Sequence, residues 1–329
     1  MSNENDKKTT KTGILTSVDD LKDHKTGSSH FENPSRILVP LKKIEEAKIP
    51  STEIITGEEI KDEILLLCHE KKYINFLRGK SSKSSDEPED LYPENSDMKI
   101  SKGTEKAARV AAGSVIKACD LVLSGKLKNS FCLVRPPGHH ATKDKAMGFC
   151  FYNNVALAAS YLISSLNKNS TKVKKVLIID WDLHHGNGTQ SFFEENENVF
   201  YFSTHLEGIF PNNPKEENKE SKTTLNANIK SALCGMEEMV KAFSQLEKEM
   251  ESFKPDFILI SCGFDGHAEE KIVGGGFGLT DDDYLTLTKI AKRMAQKFCD
   301  GKIVSVLEGG YNIEALSRAL LVHLESLAE

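Results

Sequence analysis

Five short β-type runs, Phe131–Val134, Val176–Ile179, Val199–Ser203, Phe257–Ser261 and Ile303–Leu307, alternate along the chain with longer helical patterns. The runs are apolar on both faces, so strands built from them must be covered on two sides. Helical patterns over Thr104–Ser124, Asn153–Leu166, Met236–Phe253, Asp281–Phe298 and Ile313–Leu327 supply that cover. Gly125 closes the first, and Thr280 with Asp283 three residues on forms a capping box for the fourth. The alternation predicts an α/β chain with a central, mainly parallel sheet and helices on both faces. In such sheets ligands sit beyond the carboxyl ends of the strands.

The residues expected at those ends are chemical. They are Arg135-Pro136-Pro137-Gly138-His139-His140, Asp180-Trp181-Asp182-Leu183-His184-His185, Thr204-His205, Gly263-Phe264-Asp265 and Glu308-Gly309-Gly310-Tyr311. Half of the 10 histidines fall there, and convergence on one cleft is the economical explanation. Because no cut leaves that cleft whole, residues 13–329 read as a single catalytic domain behind a disordered leader at 1–12. Two polar stretches, Gly79–Asp97 and Asn212–Thr224, read as surface loops.

Composition narrows the function classes. With 43 basic and 49 acidic residues the formal charge is −6, which argues against direct DNA binding. No apolar run approaches the roughly 20 residues of a membrane span. The seven cysteines (68, 119, 132, 150, 234, 262, 299) are scattered without a CxxC pair and read as buried hydrophobes in a reducing compartment. The leader is lysine-rich with no apolar core of a secretory signal, so an intracellular protein of cytoplasm or nucleus is expected.

Asp182 and His184, two apart on an extended segment, point the same way. Asp265 after another strand can join them, and three protein ligands leave the open position that catalytic zinc requires. His139-His140 follows a stiff Pro-Pro-Gly turn, with Asp180 and Asn187 available to set the two rings' tautomers and basicities; the alternative is a surface or capping pair. Tyr311 after Gly-Gly can donate to a developing oxyanion or simply pack a turn. On spacing alone Phe149 and Phe210 read as core aromatics.

Arg-Pro-Pro-Gly-His-His-Ala, Gly-Phe-Cys-Phe-Tyr-Asn-Asn-Val-Ala, Asp-Trp-Asp-Leu-His-His-Gly-Asn-Gly-Thr-Gln, Gly-Phe-Asp-Gly-His and Leu-Glu-Gly-Gly-Tyr-Asn occur in this order. Together they resemble the zinc-dependent histone deacetylase family, its class II branch and the related acetylpolyamine amidohydrolases, over almost the whole chain. The resemblance implies the arginase–deacetylase fold and hydrolysis of an acetyl amide to release acetate. It implies Asp182, His184 and Asp265 as zinc ligands and His140 as general base and acid. His139 becomes an electrostatic partner held by Asp180, and Tyr311 the carbonyl-polarising donor. Phe149 and Phe210, with Gly148 and Gly309, become substrate-channel residues, and Arg36 an internal-cavity arginine.

A structural potassium ion near Asp180, Asp182, His184 and Ser203 is also implied. So are acetylated lysines of proteins, histones and tubulin among them, as substrates. Asn187 stands where class I members carry an Asp, and Tyr311 where the class IIa branch has a His. Gly274 falls where polyamine-selective members place an acidic gatekeeper. The alternatives are an acetylpolyamine or other small-amide hydrolase, a two-manganese ureohydrolase and a catalytically silent acyl-lysine reader.

Overall fold

The structure is a computed structural model that describes residues 11–167, 173–217, 219, 221–230, 235–272 and 276–329. Its strands are β1 (Thr12–Thr16), β2 (Thr52–Thr56), β3 (Glu89–Tyr92), β4 (Asn95–Ile100), β5 (Asn129–Cys132), β6 (Val176–Asp180), β7 (Val199–Leu206), β8 (Thr224–Ile229), β9 (Phe257–Cys262) and β10 (Ile303–Leu307). The helices are α1 (Val18–Leu21), α2 (Ser35–Ala47), α3 (Asp62–Leu65), α4 (Lys71–Lys83), α5 (Thr104–Leu123), α6 (Asn154–Ile163), α7 (Asn187–Phe193), α8 (Pro214–Glu217), α9 (Gly235–Phe253), α10 (Asp281–Cys299) and α11 (Ile313–Ala328).

Eight strands form one sheet in the order β2-β1-β5-β10-β9-β6-β7-β8, and every pairing in it is parallel. β6, β9 and β10 are buried at every position, as two-sided cover requires. α5 and α6 pack on each other, while α10 lies between α9 and α11 and α2 leans on α11. Local chemistry fixes the helix starts. Asn153 accepts from the Ala156 amide, Asn312 from the Ala315 amide, and Thr280 with Asp283 makes the expected capping box.

Several expectations are corrected. The stretch Gly79–Asp97 is not a loop: α4 runs through it to Lys83, and β3 and β4 then form an antiparallel hairpin. Its charges hid the pattern, because only Leu91, Met98 and Ile100 of the hairpin are buried. Short α8 lies inside the Asn212–Thr224 stretch, and β8 begins at Thr224. Thr204 and His205 lie within β7, which extends to Leu206. Thr12, expected in a leader, instead opens β1 and is fully buried; residues 1–10, like Gly274 and Cys234, lie outside the described residues. The other six cysteines are buried and free. Among the described residues no helix is long and apolar enough to cross a membrane.

Candidate active site

The turns after β5, β6, β9 and β10 converge at the carboxyl edge of the sheet. Asp182, His184 and Asp265 lie there with ligand atoms all within 4.8 Å of one another, and all three are buried. His184 Nδ1 is 3.1 Å from Asp182 Oδ1 and 3.0 Å from Asp265 Oδ2. The remaining carboxylate oxygens accept backbone amides, Leu183 N on Asp265 Oδ1 at 3.0 Å and Gly309 N on Asp182 Oδ2 at 2.7 Å. These amides aim the carboxylates.

The cluster is short of positive charge. Burial and the Asp182 charge push the Asp265 carboxyl up to about 6, while Asp182 is held down by His139 and His184 against the cost of its burial. Burial works against protonation of His184, yet the two carboxylates carry it up to about 9. Two buried carboxylates competing for protons, with a nitrogen donor between them, are the donor set that suits a divalent cation such as zinc.

His139 and His140 sit beside this cluster, ring centroids 4.0 Å apart, in a turn fixed by Glu308 Oε2, which accepts the Gly138 and His139 amides at 2.7 and 3.1 Å. His139 Nδ1 is 3.2 Å from Asp180 Oδ2, an oxygen that also accepts from the Tyr201 hydroxyl at 3.0 Å. His140 Nδ1 lies 2.8 Å from Asn187 Oδ1. The partners split the rings. Burial would depress His139, but Asp182 and Asp180 outweigh it and raise it to about 10. Burial, with the neighbouring His139 and His184, drives His140 well below the usual histidine range.

A cavity of about 250 Å³ opens above, lined by His140, His184, Tyr311, Phe149 and Phe210 with Gly148 between. Phe210 is 45% exposed and its ring stands edge-on to His140 at 4.9 Å; Phe149 meets Tyr311 at 5.6 Å. Both aromatics therefore face the cavity and not the core, the correction to the reading from spacing alone. Gly148 is required by a close approach: it has φ +54, and a Cβ there would meet His140 Cδ2 at 2.4 Å. Asn95 and Asp97 bring the β3–β4 hairpin to the rim. Burial lifts the Tyr311 hydroxyl well above its usual pKa, so it stays a donor.

Gly309 and Arg36 are not among the residues that line this cavity. Gly309 lies directly against both carboxylates, with its missing side chain making room for them. Arg36 is fully buried and committed to contacts: Nε donates to Gly310 O at 2.7 Å, Nη2 to Glu308 O, and the guanidinium lies 4.8 Å over the Tyr311 ring. His205 is buried in β7 against Ser203 and His185, so three of the five strand-end histidines, not five, reach the cluster. Sequence reasoning put Glu308 at a strand end without giving it a role, and passed over Glu270, whose carboxylate accepts the Tyr311 amide at 2.7 Å. An acid directly after an all-apolar strand was the signal for Glu308; Glu269-Glu270-Lys271 carries none, since such a run reads as a solvated face.

The family model for the histone deacetylase domain matches residues 30–327. Histone deacetylase 18 of Arabidopsis thaliana is 36% identical over 321 residues, 93% of this chain and 46% of that protein. A probable deacetylase of Archaeoglobus fulgidus is 33% identical over 310 residues, covering 92% of this chain and 82% of its own. The crystal structure of the HDA15 HD domain superposes with a TM-score of 0.84 at 29% identity, over 97% of this chain and 89% of that one. The chain spans less than half the length of the Arabidopsis relative.

Proposed function

Because the chain belongs to the histone deacetylase family and has its arginase–deacetylase fold, we propose that it is a zinc-dependent hydrolase of acetylated lysine side chains. The observation that carries the reading is the buried Asp182–His184–Asp265 cluster at the floor of a cavity that His140 and Tyr311 also line.

Zinc held by those three residues supplies Lewis acidity toward water and the acyl oxygen. His140, with Asn187 Oδ1 at its Nδ1, carries its proton there and presents Nε2 as an acceptor. Held unprotonated by burial and by its neighbouring rings, Nε2 takes the proton of the attacking water and returns it to the departing amine. His139, charged against Asp180, balances the buried carboxylates. The Tyr311 phenol donates to the developing oxyanion. Phe149 and Phe210 flank the lysine stem and exclude water.

Residues 13–329 act as one catalytic domain. The buried acids Asp180 and Asp182 favour a structural potassium ion held by the backbone near Asp180, Asp182, His184 and Ser203. Asn187 and Tyr311 place the chain on the class II side, and histone or tubulin acetyl-lysine, inside the cell and without DNA contact, is its substrate. One observation favours a second reading, an acetylpolyamine hydrolase: Asp97 brings a carboxylate to the cavity rim. Turnover of acetylated histone and tubulin peptides and of acetylpolyamines, with chelator and after zinc is restored, tests both. Chelator-sensitive, zinc-restored release of acetate from the peptides is expected. A polyamine preference above about 100-fold selects the second reading, and a zinc-loaded protein inert toward all of them overturns both.

A further inference from the structure

Glu270 lies outside the machinery above, is only 4% exposed, and among the described residues no Lys or Arg pairs with it. Its carboxylate is spent on backbone. Oε2 accepts the amides of Tyr311 at 2.7 Å and Asn312 at 3.0 Å, while Oε1 accepts those of Lys271 at 2.7 Å and Ile272 at 3.3 Å. One side chain thus ties the turn that carries Tyr311 to the loop that descends from Asp265.

That turn needs such a tie. It begins with Gly309-Gly310, and Gly310 sits at φ +116, a conformation from which glycine can leave at little cost. Arg36 secures the carbonyls of Glu308 and Gly310 from one side. Among the described residues only Glu270 secures the next two amides, and Asn312 Nδ2 adds a bond to Glu269 O at 2.7 Å beside it. Ile272, held by the other carboxylate oxygen, lines the same cavity as Tyr311. The geometry also explains why the residue is an acid. Two pairs of N–H donors need acceptors at both oxygens, and a glutamine would turn its NH₂ toward one pair.

We propose that Glu270 is a positioning residue for Tyr311, fixing the phenol at the acyl oxygen through the amides of residues 311 and 312. The inference rests on Tyr311 acting as the oxyanion donor. A donor displaced by a fraction of an ångström loses much of its effect on the transition state and little of its effect on binding. The test is a cycle of Glu270→Gln and Tyr311→Phe on the zinc-loaded protein, with kcat and KM read on one acetyl-lysine peptide and thermal unfolding followed in parallel. Glu270→Gln alone should lower kcat about tenfold with KM within about twofold. In the Tyr311→Phe background the same change should lower kcat no further, because the phenol through which it acts is gone. Glu270→Asp, which keeps both acceptor oxygens, should recover part of the loss, and it replaces the glutamine variant in the cycle if that one does not fold. An equal loss in both backgrounds, or no loss with Tyr311 present, overturns the role of Glu270. Full kcat in Tyr311→Phe alone overturns the reading of Tyr311 and this inference with it.

Discussion

Gly309→Ala tests the metal cluster without substituting any of its proposed ligands. The added Cβ would stand 2.3 Å from Asp265 Oδ2 and 2.5 Å from Asp182 Oδ2, one carboxylate on each side. Non-bonded carbon and oxygen need roughly 3.2 Å, so the two oxygens must retreat by about 0.7–0.9 Å. Metal–ligand distances tolerate only about 0.2 Å. The carboxylates cannot swing freely either, because the Leu183 amide holds Asp265 and the Gly309 amide itself holds Asp182. Overpacking of this kind costs about 1–3 kcal/mol in a rigid site, and disturbing the groups that orient ligands lowers metal affinity about 10–100-fold. The assay is zinc affinity by competition with a chromophoric chelator, with metal content of the purified protein and the unfolding temperature alongside. The alanine variant should fold, bind zinc at least about tenfold more weakly, and lose turnover in proportion to the zinc lost. Wild-type zinc affinity in a folded Gly309→Ala protein would refute the assignment of Asp182 and Asp265 as paired ligands.

Three further outcomes follow from the same geometry. Asn187→Asp puts a charge 2.8 Å from His140 Nδ1 and favours the imidazolium; the acid limb of the pH–rate profile should move to higher pH by about 1 unit or more, and an unmoved limb would separate Asn187 from the base. Glu32→Gln strips the carboxylate from two buried guanidinium groups, Arg36 and Arg135, the latter bonded to it at 2.9 and 2.7 Å; a loss of about 3–5 kcal/mol in denaturant unfolding is expected, and a loss below about 1 kcal/mol would contradict it. Burial lowers His24 and His69 to about 4 and His323 to about 3, so each is neutral when folded and protonates first in the unfolded chain. Their contribution is present above the ordinary pKa of about 6.5 and is lost as pH falls from there toward 4; each of the three rings should add about one proton to the uptake on unfolding in that window, and His323→Gln should lower the total by one, whereas an unchanged uptake would place that ring in water.

The sheet's central strands were legible because nothing polar interrupts them: Val176–Asp180 and Phe257–Cys262 have no exposed position to disguise. β1 was missed because a five-residue run flanked by threonines, Thr12–Thr16, carries little apolar signal and gains its burial from partners far along the chain, and β2, Thr52–Thr56, because it is a partly exposed edge strand with only two apolar residues. The hairpin of Glu89–Tyr92 and Asn95–Ile100 was illegible because its exposed face is charged and it belongs to no larger sheet. At the site, titratable residues directly after strands announced themselves. Positions that act through backbone did not. Glu270 bonds main-chain amides, which leaves no mark in residue type or spacing, and the Gly-Gly before Tyr311 marks a close approach without saying that Gly309 makes room for two carboxylates.

Parallel order of the strands has a kinetic consequence. The bonds that assemble the site close very long loops: Gly138 to Glu308 spans 170 residues, Gly309 to Asp182 spans 127, and Arg36 to Gly310 spans 274. Each must overcome the entropy of closing its loop before it contributes anything, and topologies dominated by such contacts fold slowly. β10, which carries Tyr311 behind it, is inserted between β5 and β9, so the sheet cannot be completed around the site until the final strand arrives. Activity should therefore return on refolding only with the slowest phase, after helical signal has recovered, and a chain stalled before that phase would expose the unpaired edges of β5 and β9 to its neighbours.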